Sequence, residues 1–140
     1  MAQFILAYLI ERAGSVCDVT VMSAGIEANS GAPMSQAAQD VLAQHGIPFE
    51  PDRGAISVAD VELGTFDTIL AMEQHHVDAI RRMGGDIQGR VGLLLADAYR
   101  RELVDSEAVA DPWHTGDYET AYALIQLGCE AFLENLKNRP

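Results

Sequence analysis

The sequence FDTILAMEQHHVDAIRR, residues 66–82, decides the class of fold. Residues 66–72 form a short apolar run with the length and composition of a buried strand. Residues from about 74 to 82 then predict a helix, which Gly84 and Gly85 end. Because a strand that passes directly into a helix is the first half of a βαβ unit, this stretch predicts a parallel sheet.

Similar patterns extend in both directions along the chain. Residues 18–22 and 91–95 predict two further strands. Helices are predicted at residues 3–13, 35–44, 57–62 and about 118–137, with residues 47–56 extended or irregular. Strands that alternate with helices predict one three-layer α/β/α domain over residues 1–140. In such a domain the site lies beyond the carboxyl ends of the strands. The loops that follow these ends begin after residues 22, 72 and 95.

Composition narrows the class of protein. Hydrophobic residues make up 49% and charged residues 21% of the 140, which is the balance of a folded protein. No apolar run approaches the ~20 residues that cross a bilayer, and no signal-peptide pattern opens the chain, so we expect a cytoplasmic protein. Nine basic residues against 21 acidic ones give a net charge of -12, which disfavours binding to nucleic acid or to an anionic membrane.

The loop after residue 95 contains Asp111-Pro112-Trp113-His114. A residue before proline is kept out of the helical region, so Asp111 is expected in extended backbone. The aromatic Trp113 can make the surroundings of the carboxyl group less polar, which suits a general acid. A turn in which Asp111 only caps the following helix explains the same residues, and spacing alone favours this interpretation. Residue types alone leave both interpretations open.

Five segments in order along the chain resemble those of low-molecular-weight protein tyrosine phosphatases. They are the turn Ser23-Ala24-Gly25, the helix and stop at residues 38–46, the strands at 66–72 and 91–95, and Asp111-Pro112-Trp113-His114 before a helix that begins near Tyr118. The resemblance implies a hydrolase that acts on a phosphotyrosine protein or a small aryl phosphate through a cysteinyl-phosphate. It implies that Asp111 is the general acid, that Trp113 and His114 contact the substrate, and that no cofactor or metal takes part.

The family's nucleophile lies in a Cys-x5-Arg loop between its first strand and first helix. The resemblance matches Met1-Ala2 to the beginning of that helix, so we expect the first strand and the loop to be missing from this chain. The sixth residue after Cys17 is Ser23 and the sixth after Cys129 is Asn135, so neither cysteine belongs to such a motif. Cys129 lies on the apolar stripe of the last helix and is expected to be a buried, inert thiol. These 140 residues are therefore expected to be inactive.

Three functional interpretations follow. The first is an N-terminally truncated phosphatase, and the second is a natural pseudo-phosphatase that acts as a binding or self-associating module. The third, a thioredoxin-coupled arsenate reductase, is disfavoured because no cysteine lies between Cys17 and Cys129. Asn29 and Glu73 depart from the family's usual residues near the site.

The missing first strand would leave a gap in the sheet, and this leads to one further expectation. The neighbouring residues His75 and His76 lead to another. A second copy should cover the exposed sheet edge or the helix at residues 4–10, unless residues 4–10 themselves become a strand and fill the gap. The adjacent His75 and His76 should diverge by about 100° on a helix, which would prevent them from binding one metal ion together.

Overall fold

The computed structural model describes residues 1–14, 18–87 and 89–138. Cys17 lies outside the described residues. The helices are α1 (Ala2–Arg12), α2 (Gln36–Gln44), α3 (Gln74–Arg82), α4 (Ala96–Arg100), α5 (Pro112–Thr115) and α6 (Tyr118–Lys137), and the strands are β1 (Ile69–Ala71) and β2 (Val91–Leu93). Two 3₁₀ turns, Val58–Asp60 and Leu63–Thr65, precede β1.

The predicted parallel sheet is present in β1 and β2. The strands pair in parallel with Ile69 opposite Val91, and α3 connects them as a βαβ unit. The ladder continues past both ends of β2, because Ile69 N donates to Arg90 O and Leu94 N donates to Ala71 O, each at 2.8 Å. This unit confirms the α/β class that residues 66–82 predict.

Helices cover both faces of this sheet. Alternate side chains of a strand point to opposite faces. Leu70 and Met72 pack against the core that α1, α2 and α6 build, whereas Ala71 packs with Val77 and Ile80 of α3. The sheet therefore lies between helical layers, which confirms the expected three-layer α/β/α arrangement.

The prediction of a strand at residues 18–22 is wrong. Within the described chain, residues 18–22 make no backbone hydrogen bond to a neighbouring strand. Pairing begins only at Gly25, whose N–H donates to Ile56 O at 2.9 Å and whose carbonyl accepts from Val58 N at 3.0 Å. A β-rich composition forms a strand only where another strand supplies partners, and residues 18–22 have none in the described chain.

Other boundaries also differ from the prediction. The strand predicted at 91–95 ends at Leu93, because Leu95 already accepts the first hydrogen bond of α4 from Tyr99 N at 2.8 Å. The sequence pattern did not predict the short helix α4. Residues 4–10 are helical rather than extended, so they do not fill a vacancy in the sheet.

The predicted ends of the helices are confirmed where local signals define them. Ser35 Oγ accepts from Ala38 N at 3.3 Å and caps α2, and Asp117 Oδ1 accepts from Thr120 N at 3.0 Å and caps α6. Gly14 and Gly46, which follow α1 and α2, adopt positive φ, the conformation that favours glycine after a helix.

The long helix α6 lies along the main core. Its predicted stripe is confirmed, because Tyr122, Ile125 and Cys129 are buried on one side. Ile5 of α1 is fully buried in the same cluster, so α1 covers its apolar face within its own chain. No helix in the described ranges is long and apolar enough to span a membrane.

Candidate functional site at the carboxyl end of the sheet

The loop that bears Asp111 is attached to the end of β1. Val109 N donates a hydrogen bond of 2.9 Å to Met72 O, the residue that follows the strand. The Val109 side chain is buried in the main core. This anchor places Asp111, two residues further on, at the sheet end where ligands bind in open α/β folds.

The two carboxyl oxygens of Asp111 differ. Oδ1 accepts a hydrogen bond, whereas Oδ2, which we call the open oxygen, accepts none from the described residues. The backbone is extended, with φ -66° and ψ 116°, as expected before Pro112. Oδ1 accepts from Trp113 N at 3.0 Å and begins α5. Oδ2 lies 3.8 Å from His114 Nε2, and the side chain is half exposed. The two interpretations of this residue are therefore compatible, because the oxygen that caps α5 differs from the one that could transfer a proton.

The sequence suggested that Trp113 shields this carboxyl group from water, but in the structure it does not. Its side chain is 73% exposed, because α5 is a single turn that ends at Gly116 with positive φ and projects from the core. His114 is also largely exposed. Both residues are therefore exposed next to Asp111 in the sequence.

The two histidines at the start of α3 converge, contrary to the expectation from helical geometry. Their ring centroids are 4.1 Å apart. His76 turns back toward the helix N-terminus, where its Nδ1 accepts from Glu73 N at 3.3 Å, and His75 Nδ1 lies 4.0 Å from Glu73 Oε2. A single Cα direction does not determine where a histidine ring points, because two side-chain torsions lie between them.

Asp111 and this histidine pair belong to one electrostatic neighbourhood. Burial of His76, followed by the effect of His75, lowers the pKa of His76. The negative charges of Glu73, Asp111 and Glu27 act in the opposite direction. The charges of Glu73, Asp111 and Glu27, which come from three separate parts of the chain, thus all act on His76.

A cleft of about 220 Å³ lies between the start of α1 and the turn at Ser23. Ser23 Oγ donates to Gln3 Oε1 at 2.7 Å. The guanidinium of Arg53 donates to Ser23 O at 2.8 Å and to Gly54 O at 3.3 Å. Burial, followed by the charge of Arg53, lowers the pKa of the Met1 amino group in the same cleft. Sequence analysis did not identify Gln3 or Arg53, since both contacts join residues that are distant along the chain.

Cys129 is the cysteine that the structure describes, and it is not a nucleophile in this fold. Its side chain is fully buried in the main core. Burial is the main cause that raises the pKa of the Cys129 thiol to about 12. The thiolate, which is the reactive form, is therefore almost absent at neutral pH, as the position of Cys129 on the core stripe predicted.

The described fold is that of an α/β protein with a candidate acid at the carboxyl end of its sheet, and comparison with known proteins assigns its family. The sequence model described as Low molecular weight phosphotyrosine protein phosphatase matches residues 1–140. The low molecular weight protein-tyrosine-phosphatase PtpA of Staphylococcus haemolyticus is 33% identical over 127 residues, which are 90% of this chain and 77% of that protein. The chain belongs to the low molecular weight phosphotyrosine protein phosphatase family.

Solved structures agree with this assignment. The crystal structure of YfkJ from Bacillus subtilis superposes with a TM-score of 0.87 and 31% identity, covering 96% of this chain and 84% of that one. A protein tyrosine phosphatase from Entamoeba histolytica has a TM-score of 0.84 over 96% of this chain and 86% of that one at 15% identity, a likeness that concerns the fold alone. The resemblance that the five segments indicated is thereby confirmed.

Proposed function

We propose that this chain is the body of a phosphatase for phosphotyrosine proteins or small aryl phosphates, with Asp111 as its general acid. The open Oδ2 of Asp111 at the carboxyl end of β1 carries this proposal. When an aryl phosphate is cleaved, the oxygen of the leaving phenolate takes up a proton. A half-exposed carboxyl group held in place by its other oxygen is suited to deliver that proton.

The remaining residues near the site have supporting roles in this proposal. Trp113 and His114 stand exposed beside Asp111 and would contact the aromatic ring and the polypeptide of the substrate. Arg53 and the N-terminus of α1 line the cleft beside Ser23 and would provide positive potential there, which suits a phosphoryl group. No cofactor or metal ion is needed for the chemistry that we propose here.

We also propose that a polypeptide of these 140 residues is inactive by itself. In the cysteinyl-phosphate route that we propose, the nucleophile that attacks phosphorus is a thiolate. The sequence contains no Cys-x5-Arg motif, and the Cys129 thiol is buried with a raised pKa. Of the interpretations above, we favour the truncated phosphatase, in which the nucleophile loop is encoded upstream of Met1. The open Oδ2 of Asp111 supports this interpretation, because a general acid is of use only where a leaving group is protonated.

Turnover of para-nitrophenyl phosphate tests the proposed inactivity. Hydrolysis by the purified 140-residue chain is expected at the rate of buffer alone, and Asp111→Ala should change nothing. Turnover that Asp111→Ala abolishes would contradict the proposal.

Translation of the DNA upstream of Met1 separates the two remaining interpretations. An in-frame Cys-x5-Arg-Ser-Pro sequence is expected for the truncated phosphatase. If no such sequence is present, the chain is the natural pseudo-phosphatase, and its role is binding or self-association. The family's usual Asp is replaced here by Glu73, a longer carboxylate after β1, and this departure favours the second candidate.

A homodimer in the cytoplasm completes the proposal. α1 is packed within its own chain, so a second copy would cover the edge of the sheet, where unpaired backbone groups invite association. Sedimentation velocity at micromolar concentration is expected to give a dimer, and a clean monomer would contradict this part. The net charge of -12 gives no support to a nucleic acid or an anionic membrane as a partner.

A further inference from the structure

Glu73, His75 and His76 bring three metal-binding side chains together at the beginning of α3. One ligand atom from each residue lies within 4.8 Å of those from the other two. We propose that this cluster is a binding site for one divalent transition-metal ion such as Zn²⁺ or Ni²⁺. Two imidazoles and one carboxylate form a donor set that suits these ions.

The orientation of His76 supplies the first reason. Its Nδ1 accepts the Glu73 N–H, so the neutral ring carries its proton on Nε2 and presents the Nδ1 electron pair toward Glu73. His75 directs its own Nδ1 toward the Glu73 carboxylate, at 4.0 Å. The bond from Glu73 N is long at 3.3 Å, and a metal ion on Nδ1 would take its place.

The distances among the three groups are within reach of coordination. Tetrahedral bonds of about 2.1 Å separate ligand atoms by about 3.4 Å. Atoms that now lie within 4.8 Å have to approach by no more than about 1.4 Å. The His75 side chain is 68% exposed and turns freely toward the other two. Three protein ligands leave at least one position for water.

The electrostatics of the neighbourhood favour a cation. Glu27 and Asp111 add negative charge around His76 beside that of Glu73. The chain as a whole carries a net charge of -12, which attracts divalent cations to its surface.

Titration of tag-free protein with Zn²⁺ alone, followed by competition with a chromophoric chelator, tests the proposal. The wild type is expected to bind one ion per chain in a saturable manner. His75→Gln, His76→Gln and Glu73→Gln are each expected to weaken binding about tenfold or more, because each removes one of three ligands. His75→Gln alters an exposed side chain, so its effect does not depend on folding, and circular dichroism verifies the fold of all variants.

His45→Gln is the matched control. His45 Nε2 lies 3.0 Å from Glu119 Oε2, so it is also a histidine beside a carboxylate, but its ring stacks on Tyr122 rather than on a second histidine. Its binding should equal that of the wild type within about twofold. Three results would overturn the proposal: no saturable binding by the wild type, unchanged binding by His75→Gln, or an equal loss in His45→Gln.

Discussion

The backbone N–H of Val109 donates a 2.9 Å hydrogen bond to the carbonyl oxygen of Met72 and thereby joins the Asp111 loop to the end of β1. The two residues are far apart in sequence, and the bond fixes the position of the loop relative to the carboxyl end of β1. Asp111 then uses one oxygen to begin α5 and leaves the other open. The position of the proposed acid is thus a consequence of tertiary structure.

The first prediction concerns Asp111 in a longer polypeptide that includes an upstream nucleophile loop. Asp111→Asn keeps the cap on α5 but cannot donate the proton, so kcat for para-nitrophenyl phosphate should fall by about 10²- to 10⁴-fold. The exposed Asp105, in the same loop region, provides the control, and Asp105→Asn should leave kcat unchanged. Equal rates for Asp111→Asn and wild type would remove Asp111 from the proposed role.

The second prediction concerns the reactivity of Cys129. With its pKa raised to about 12, roughly one thiol in 10⁴ is ionised at pH 8, and the side chain is fully buried. Iodoacetamide should therefore modify Cys129 at least about 100-fold more slowly in the native protein than in denaturant. Mass spectrometry of the tryptic peptide that ends at Lys137 measures this separately from Cys17, which lies in another peptide. Equal rates in the two conditions would contradict the buried position.

The third prediction concerns the contact between α6 and the end of β2. A Cβ added to Gly128 would lie 2.9 Å from Leu94 Cγ and 3.0 Å from Leu94 O. Gly128→Ala should therefore lower the free energy of unfolding by about 1–3 kcal/mol, because the helix must move away from the strand.

Urea unfolding of Gly128→Ala has a natural control in Gly92→Ala. A Cβ at Gly92 meets nothing within 4 Å, so that variant should be as stable as the wild type within about 1 kcal/mol. If Gly128→Ala proved as stable as Gly92→Ala, the close approach of α6 to Leu94 would be refuted.

The fourth prediction concerns the cap of α6 and its dependence on pH. Hydrogen bonds from the Thr120 side chain, and then from its backbone, lower the pKa of Asp117 from the ordinary 3.8. A carboxyl with a lowered pKa stabilises the folded state above its unfolded pKa and loses that contribution as pH falls through its folded pKa. The stability difference between wild type and Asp117→Asn should thus be constant from about pH 7 to 5 and shrink below about pH 4.

Thermal unfolding between pH 3 and 7 measures this difference. Asp52→Asn, which replaces an exposed carboxylate in a turn, serves as the comparison and should show a smaller change with pH. A difference between wild type and Asp117→Asn that does not shrink in acid would show that the ionised carboxylate contributes nothing to the cap.

Local signals predicted much of the secondary structure. Ser35 and Asp117 mark helix starts because a side-chain oxygen satisfies a backbone N–H only a few residues away. Glycines after α1 and α2 mark their ends for an equally local reason. The stripe of α6 repeats with the period of the helix, so the burial of Cys129 was also predictable.

Features that depend on distant partners were misjudged. Residues 18–22 have the composition of a strand but no partner in the described chain. The convergence of His75 and His76 depends on side-chain torsions that the 100° spacing of a helix does not contain. The link between Gln3 and Ser23 and the attachment of Arg53 to Ser23 join segments whose proximity is a property of the folded chain.

The sequence by itself determined the α/β class, the family, the position of most helices and the choice of Asp111 as the candidate acid. These depend on periodicity, on capping residues and on the order of five short segments, all of which are written along the chain. Only the tertiary structure decided which oxygen of Asp111 is open, that Trp113 does not shield it, and that Glu73, His75 and His76 form one cluster. Those outcomes depend on side-chain torsions and on hydrogen bonds such as Trp113 N to Asp111 Oδ1 and Glu73 N to His76 Nδ1, which residue types and helical periodicity do not specify.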